Sequence, residues 1–283
     1  MVQLHVYTDF LQFKHDILPF LMKYEQENNL ILGVLYSPQL PLFMATVVKD
    51  GDLVGVMLQT HPRQVIVSKH FITSEDRKEF AKQLCIAYPH IPGLIGERGL
   101  VEDTAKRVAT RFNKQVRLGM NQCIYVLQTV EKEADNKGLF YQVLPEEQPI
   151  IEKWVYEFCQ DVHLPTTKEE ANEKAAELIE SHRLFGWKVN DELVSMAAVT
   201  RPTENNITVN YVYTPKEKRG SGYASSCVAA LSQRMLNEGY KTTSLYTDLA
   251  NQTSNKIYQE IGYKPVMESI LLFLEEHKKN SSA

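Results

Sequence analysis

The stretch richest in chemistry is Val209–Ala224, VNYVYTPKEKRGSGYA. A β-branched and aromatic run breaks at Thr214-Pro215, passes through a basic loop holding Gly220 and Gly222, and enters a segment patterned as a helix. Such a loop suits a polyphosphate. Glycine allows positive φ and close backbone approach to a ligand. The first N–H groups of a helix have no intrahelical partner and point out of its N-terminus. The positive end of the helix dipole favours an anion there. Lys218 and Arg219 add positive charge. The plainer alternative is a tight turn with no ligand.

The elements that must hold this loop can be read from the flanking pattern. Leu139–Leu144 reads as a strand, and Glu147–Gln160 as a helix with Ile150, Ile151, Trp154, Val155 and Phe158 at helical spacing. Lys168–Ser181 is a second helix. Leu184–Val189, Leu193–Thr200 and Ile207–Tyr213 read as a three-strand antiparallel meander with Asn, Asp and Pro in its breaks. Gly222–Asn237 is a helix ended by Gly239, Ser244–Thr247 a short strand, Thr253–Ile261 a helix ended by Gly262, and Met267–Leu274 a last strand. The order βαα-βββ-α-β-α-β predicts an α+β sandwich.

The first half of the chain echoes the second. Asp50–Pro62 (DGDLVGVMLQTHP) and Asn190–Pro202 (NDELVSMAAVTRP) share Leu53/Leu193, Val54/Val194, Thr60/Thr200 and Pro62/Pro202 at a constant offset of 140 (193 − 53). Each is a turn, an apolar strand and a Thr-x-Pro stop, which points to duplication. The polar segment Glu131–Gly138 separates the halves, so domains are expected at 1–135 and 136–283.

Composition limits the possible functions. The chain has 283 residues, 43% hydrophobic and 23% charged, which matches a globular protein with a sizeable core. Its net charge of -4 and lack of a basic stripe argue against nucleic-acid binding. The acidic balance favours a cationic small molecule as partner. Cys85, Cys123, Cys159 and Cys227 are scattered, expected to be buried and reduced, and fit a cytoplasmic location. Cys227 reads as core, near Leu231 and Met235, and not as a nucleophile. The eight histidines show no paired metal spacing, so no metal is expected. No signal pattern opens the chain and no apolar run reaches 18 residues, so no membrane partner is expected.

Arg219-x-x-Gly222-x-Ala224, placed between a strand and a helix, resembles the [Q/R]-x-x-G-x-[G/A] signature of the GNAT acetyltransferases. Asn251-x-x-Ser254-x-x-x-Tyr258-x-x-x-Gly262-Tyr263 is similar to that family's second signature, with Tyr263 where the family pattern has Phe. The resemblance implies two GNAT-like domains, each a mostly antiparallel central sheet flanked by helices, and an N-acetyltransferase using acetyl-CoA. By that resemblance, backbone N–H groups of Arg219, Gly220, Ser221, Gly222, Tyr223 and Ala224 grip the CoA pyrophosphate. Val212, Tyr213 and Thr214 bind the pantetheine arm through their backbones, where the strand splays from its neighbour. A backbone N–H near Val212 or Tyr213 steadies the thioester oxyanion. Asn251 contacts the cofactor or orients the site, and Tyr258 protonates the departing thiolate. Asn251 also reads as a helix N-cap, and Tyr258 as a packed aromatic facing Ile261. Glu157, Asp161 and Glu204 stand as general-base candidates beside a water chain.

The first half lacks the loop. Its strand Gln64–Ser68 runs into Lys69 and His70, and no glycine occurs between Gly55 and Gly93, so one CoA site per chain is expected. Ile91–Arg98 (IPGLIGER) resembles a segment of bacterial tandem-GNAT proteins. This half either buttresses the other or walls the acceptor pocket. The function that follows is direct attack of a small-molecule or peptide amine on acetyl-CoA in a ternary complex. A non-catalytic CoA-binding module and a tRNA-dependent aminoacyl transferase are the alternatives.

Overall fold

The computed structural model describes residues 1–135 and 137–277. Of the polar segment Glu131–Gly138, Asn136 lies outside the described residues. The chain divides into two compact units. One holds Met1–Ile124, Thr247–Ala250 and the described residues from Pro265 onward; the other holds Tyr125–Tyr246 and Asn251–Lys264.

The first unit runs β1 (Val2–Val6), α1 (Phe10–Lys23), α2 (Asn29–Leu35), β2 (Phe43–Lys49), β3 (Asp52–Gln59), β4 (Val65–Val67), α3 (Arg77–Ala87), β5 (Gly93–Glu97), α4 (Arg98–Phe112) and most of β6 (Lys114–Leu127). The second runs β7 (Leu139–Gln142), α5 (Gln148–Asp161), α6 (Lys168–Glu180), β8 (Leu184–Val189), β9 (Glu192–Thr200), β10 (Asn206–Tyr213), α7 (Tyr223–Asn237), β11 (Thr242–Asp248) and α8 (Gln252–Ile261). The last strand, β12 (Lys264–Glu276), returns to the first unit. Strand order is β1-β2-β3-β4-β5-β12-β6 in the first unit and β11-β10-β9-β8-β7 in the second. β1/β2, β2/β3, β3/β4, β5/β12, β7/β8, β8/β9 and β9/β10 pair antiparallel, and β4/β5 and β10/β11 pair parallel.

The expected cut at 135/136 places the C-terminal strand in the second domain, whereas the structure packs it in the first unit. Ser269–Phe273 pairs with Gly93–Glu97 of β5. Ile270, Leu272 and Leu274 join the core built on β2–β5, α3 and α4. β5 accepts β12 closely because Gly93 has no side chain: a Cβ there would lie 2.7 Å from the Leu272 carbonyl oxygen. A hydrophobic strand pattern states that a strand exists but not which sheet receives it.

The internal repeat has a structural counterpart. β2/β3 pairs Val47 with Gly55 and Val48 with Leu53, and β8/β9 pairs Trp187 with Ser195 and Lys188 with Leu193. Each hairpin is bulged at the same step, and the offset of 140 (187 − 47) is kept. Both turns use two successive positive-φ residues, Asp50-Gly51 and Asn190-Asp191. That is the two-residue turn whose twist matches a hairpin.

In the second unit, α5 buries Ile151, Trp154, Val155 and Cys159. α6 starts at a capping box, in which Thr167 Oγ1 accepts from Glu170 N–H and Glu170 accepts from Thr167 N–H. Both helices pack on a core that includes Met196, Ala198 and Tyr213. Among the described residues, no helix is long and apolar enough to cross a membrane.

Candidate functional site

The site candidate begins where β10 leaves β11. Their parallel pairing covers only Asn206–Thr208 against Thr242–Ser244, although β10 continues to Tyr213 and β11 to Asp248. On its other side β10 is bulged. Asn210 stands opposite Ala198 and Tyr213 opposite Met196, so Tyr211 and Val212 share the single position at Ala197. Tyr211 takes φ 50, and its N–H is turned onto Asn210 Oδ1 at 2.8 Å. A bulge breaks the ladder and bends the strand. It leaves the backbone around Val212 outside the regular β9 pairing.

Tyr213 and Thr214 are held in place beyond the bulge. Ser195 Oγ donates to the Tyr213 carbonyl at 3.1 Å and shares a 2.9 Å hydrogen bond with Thr214 Oγ1. The Tyr213 hydroxyl donates to Glu157 Oε2 at 2.8 Å. Burial, reinforced by that carboxylate, pushes the phenol well above its usual range.

After Thr214 the chain makes a short 3-10 turn at Lys216–Lys218, and the loop then passes Gly220 (φ 84) and Gly222 (φ 82) into α7. A Cβ added at either glycine meets nothing within 4 Å, so positive φ, not space, is what these glycines supply. Gly222 is the N-cap, with no side-chain cap bond. The first intrahelical bond is Ser226 N–H to Gly222 O at 3.0 Å. The N–H groups of Tyr223, Ala224 and Ser225 therefore form an uncapped helix start behind an exposed loop, Arg219–Gly222. This is an anion-receptive end of a helix.

The loop cations are less free than the sequence suggests. Arg219 donates to the Thr214 carbonyl at 2.9 Å, pairs with Asp161 at 2.5 Å and lies over the Tyr213 ring. Lys216 faces Asp161 at 3.8 Å, and Lys218 pairs with Glu192 at 2.7 Å. Arg219 thus ties the loop to α5 and to the bulged strand. Of the three base candidates, Asp161 is held by these cations, Glu157 by Tyr213, and Glu204 is exposed in the β9–β10 connection.

Asn251 and Tyr258 belong to α8. Asn251 is exposed, and its Oδ1 caps the helix by accepting from Ser254 N–H at 3.0 Å. Tyr258 is 9% exposed and sits edge-on to Tyr263, ring centroids 6.0 Å apart. Burial raises its pKa well above the usual phenol value, with a smaller push from Tyr263. Tyr263, in turn, is tethered through its hydroxyl to Ser232 and Thr243, each at 2.8 Å. Among the described residues no hydrogen bond or ion pair joins Asn251 or Tyr258 to the glycine loop. α7 packs against α8 and brings them into the same unit.

Cys123, Cys159 and Cys227 are buried as expected, but Cys85 is only partly so. Cys227 is fully enclosed, and burial pushes its thiol far up, away from thiolate formation. Among the described residues no group of three or more metal-ligating side chains gathers.

The first unit presents different chemistry at the corresponding places. α3 begins at Asp76, whose carboxylate is paired with Lys49 at 2.7 Å and accepts from Thr73. α4 is capped by Glu97, which accepts from Gly99 and Leu100 N–H at 2.9 Å each and faces His70 at 3.1 Å. A carboxylate thus stands at the start of α3, where the second unit has the uncapped Gly222 of α7, while Glu97 caps α4 as Asn251 caps α8.

The Acetyltransferase (GNAT) family model matches residues 149–263, which contain the bulged strand, the loop and α8. That segment matches the GNAT family. It is 26% identical over 144 residues to the "uncharacterized N-acetyltransferase YycN" of Bacillus subtilis, covering 50% of this chain and 84% of that protein. A GCN5-related N-acetyltransferase of Sphaerobacter thermophilus shares the fold over 96% of this chain and 94% of its own, with TM-score 0.65 and 12% identity. A tandem GNAT protein from the clavulanic acid biosynthesis pathway shares it over 96% and 98%, with TM-score 0.56 and 12% identity. The GNAT fold, including its tandem form, thus extends over nearly the whole chain.

Sequence reasoning missed Ser195 and Tyr211. Ser195 carried a signal, being the one polar residue of the run Leu193–Val199. Nothing in the spacing marks Tyr211 as the bulge.

Proposed function

We propose that the chain transfers an acetyl group from acetyl-CoA to a primary amine by direct attack in a ternary complex, with one cofactor site per chain in the second unit. The observation that carries this reading is the uncapped start of α7 behind two positive-φ glycines, directly after a bulged strand that has parted from its parallel neighbour. The loop is open enough to take a diphosphate, since even an added Cβ at Gly220 or Gly222 would touch nothing.

In this reading the N–H groups from Arg219 to Ala224 bind the diphosphate. The backbone of Val212, Tyr213 and Thr214 aligns the pantetheine arm along the free edge of β10. The bulge presents an N–H near Val212 to the oxygen on which charge develops, and such a fixed donor stabilises the transition state more than the ground state. The bound acetyl-CoA supplies an activated acyl thioester. Tyr258 stays protonated at neutral pH and donates a hydrogen bond to the departing sulfur. Asn251 holds the start of α8 and so positions Tyr258. An alkylammonium must lose a proton at a cost of about 4–5 kcal/mol at pH 7. Asp161 and Glu157 are engaged in fixing Arg219 and Tyr213, so that proton leaves through water. With Cys227 buried and protonated, no acyl-enzyme forms. The first unit, with the Asp76 carboxylate at the start of α3, repels a polyphosphate and binds no cofactor.

Calorimetric titration with acetyl-CoA, followed by thiol release against a panel of primary amines, tests this. Binding near one per chain and turnover with an amine are expected. Two sites per chain would refute the assignment of the first unit, and absence of binding would sink the acyl-transfer reading.

A further inference from the structure

Ser195 lies in the middle of β9, in the run Leu193–Val199 that is buried throughout, and is itself fully buried. A hydroxyl taken out of water costs free energy unless it is hydrogen-bonded. Ser195 makes its bonds at one place, the end of β10. It has a single proton to give, and Oγ gives it to the Tyr213 carbonyl at 3.1 Å. The 2.9 Å bond to Thr214 Oγ1 is then donated by Thr214, so the two hydroxyls form a chain that ends on the carbonyl. Arg219 donates to the next carbonyl, that of Thr214, at 2.9 Å. Two successive carbonyls after the bulge are thus held by side chains. The hairpin itself does not need this serine. At the offset of 140 (195 − 55) its counterpart is Gly55, which pairs with Val47 in the same register in which Ser195 pairs with Trp187. The hydroxyl stands in the unit that carries the glycine loop and has no counterpart at this position of the other.

Fixing that carbonyl fixes the peptide. No peptide bond among the described residues is cis, and in a planar trans peptide the C=O and N–H point in opposite directions. The Tyr213 carbonyl is drawn toward β9, so Thr214 N–H is turned to the other side of β10. That is the side of β11, which pairs with β10 only as far as Thr208 and Ser244. The pantetheine arm of CoA carries amide carbonyls, which suit such a donor. We propose that Ser195 is a positioning residue for the cofactor, aiming Thr214 N–H from the free edge of β10 at an amide carbonyl of that arm. This rests on the acyl-transfer reading above, and it gives a buried residue of β9 control over cofactor affinity.

The test is calorimetry of the full chain with two ligands, CoA and 3′-phosphoadenosine diphosphate, which is the CoA nucleotide without its pantetheine arm. Ser195→Ala should bind CoA about 3- to 10-fold more weakly than wild type, the range of one neutral hydrogen bond, and bind the nucleotide equally well. Ser195→Thr, which keeps the hydroxyl, should recover CoA affinity. With an amine substrate, the KM for acetyl-CoA should rise in Ser195→Ala by the same factor, with kcat and the amine KM unchanged. A merely structural serine would weaken both ligands alike, and that result overturns the proposal. Unchanged CoA affinity in Ser195→Ala overturns it too, as does a Ser195→Thr variant that folds but binds CoA no better than Ser195→Ala. Should Ser195→Ala fail to fold, Ser195→Cys, a weaker donor of similar size, is read by the same criteria. Wild type that binds neither ligand sinks the acyl-transfer reading and this inference with it. Wild type and Ser195→Ala binding CoA equally overturns the inference alone.

Discussion

Gly222 separates the electrostatics of the loop from its backbone strain, because aspartate and asparagine are nearly isosteric and both enter the left-handed region more readily than other side chains. Gly222 sits at φ 82 and ψ 1, and nothing lies within 4 Å of an added Cβ. Gly222→Asn and Gly222→Asp should therefore carry the same conformational cost, ~1 kcal/mol, seen as a fall in Tm of roughly 2–4 °C. Their effect on cofactor binding should diverge. A carboxylate ~5 Å from one phosphate charge is unfavourable by about 0.8 kcal/mol at a dielectric of 80 and by about 3 kcal/mol at 20. The exposed loop lies between those limits. The Asp variant should thus bind acetyl-CoA about 4-fold to about 300-fold more weakly than the Asn variant. Because the charge is exposed, the ratio should shrink as salt is raised. Calorimetry at 50 and 300 mM salt, beside melting curves of all three proteins, reads both effects. Equal affinity of the Asn and Asp variants would refute a diphosphate at this helix start, whatever either does relative to wild type.

Tyr258→Phe should lower kcat by about 10²- to 10⁴-fold with acetyl-CoA affinity unchanged; unaltered kcat would return Tyr258 to a packing role beside Ile261. Cys227→Ala should leave the chemical step intact and cost stability only, so a loss of kcat with intact cofactor binding would contradict direct transfer. Glu97 is held down to about 2, first by its hydrogen bond to His70, then by the N–H groups of Gly99 and Leu100 against the opposing effect of burial. Its folded value lies below the unfolded one, so its stabilisation is full above about pH 4.5 and lost as pH falls through about 2. Denaturation midpoints of Glu97→Gln should therefore vary less with pH across that window than those of the wild type. Burial raises Tyr211 and Tyr263 to about 12. The unfolded chain then loses these protons first, and stability should decline from about pH 10 upward, visible as phenolate absorbance that rises only with unfolding.

The local elements and their punctuation are legible in the residue pattern. Gly220 and Gly222 had to sit where φ is positive, Gly262 had to end α8, and the alternating runs had to form the β8–β10 meander, because these follow from backbone sterics and side-chain periodicity. The repeat at offset 140 was legible for the same reason, since turn chemistry and strand pattern are local. Other features depend on contacts between residues distant in the chain. Nothing in Met267–Leu274 says that it pairs with β5, because a strand pattern specifies a buried face and not a neighbour. The bulge at Tyr211–Val212 is a register difference between two strands and has no signature in either. Lys218 and Arg219 read as free cations because their partners, Glu192 and Asp161, lie on elements that only folding brings alongside. Arg201, at the end of a strand and next to a proline, reads as an ordinary surface charge. Its place over the Tyr246 ring joins the end of β9 to β11 and has no signature in either segment.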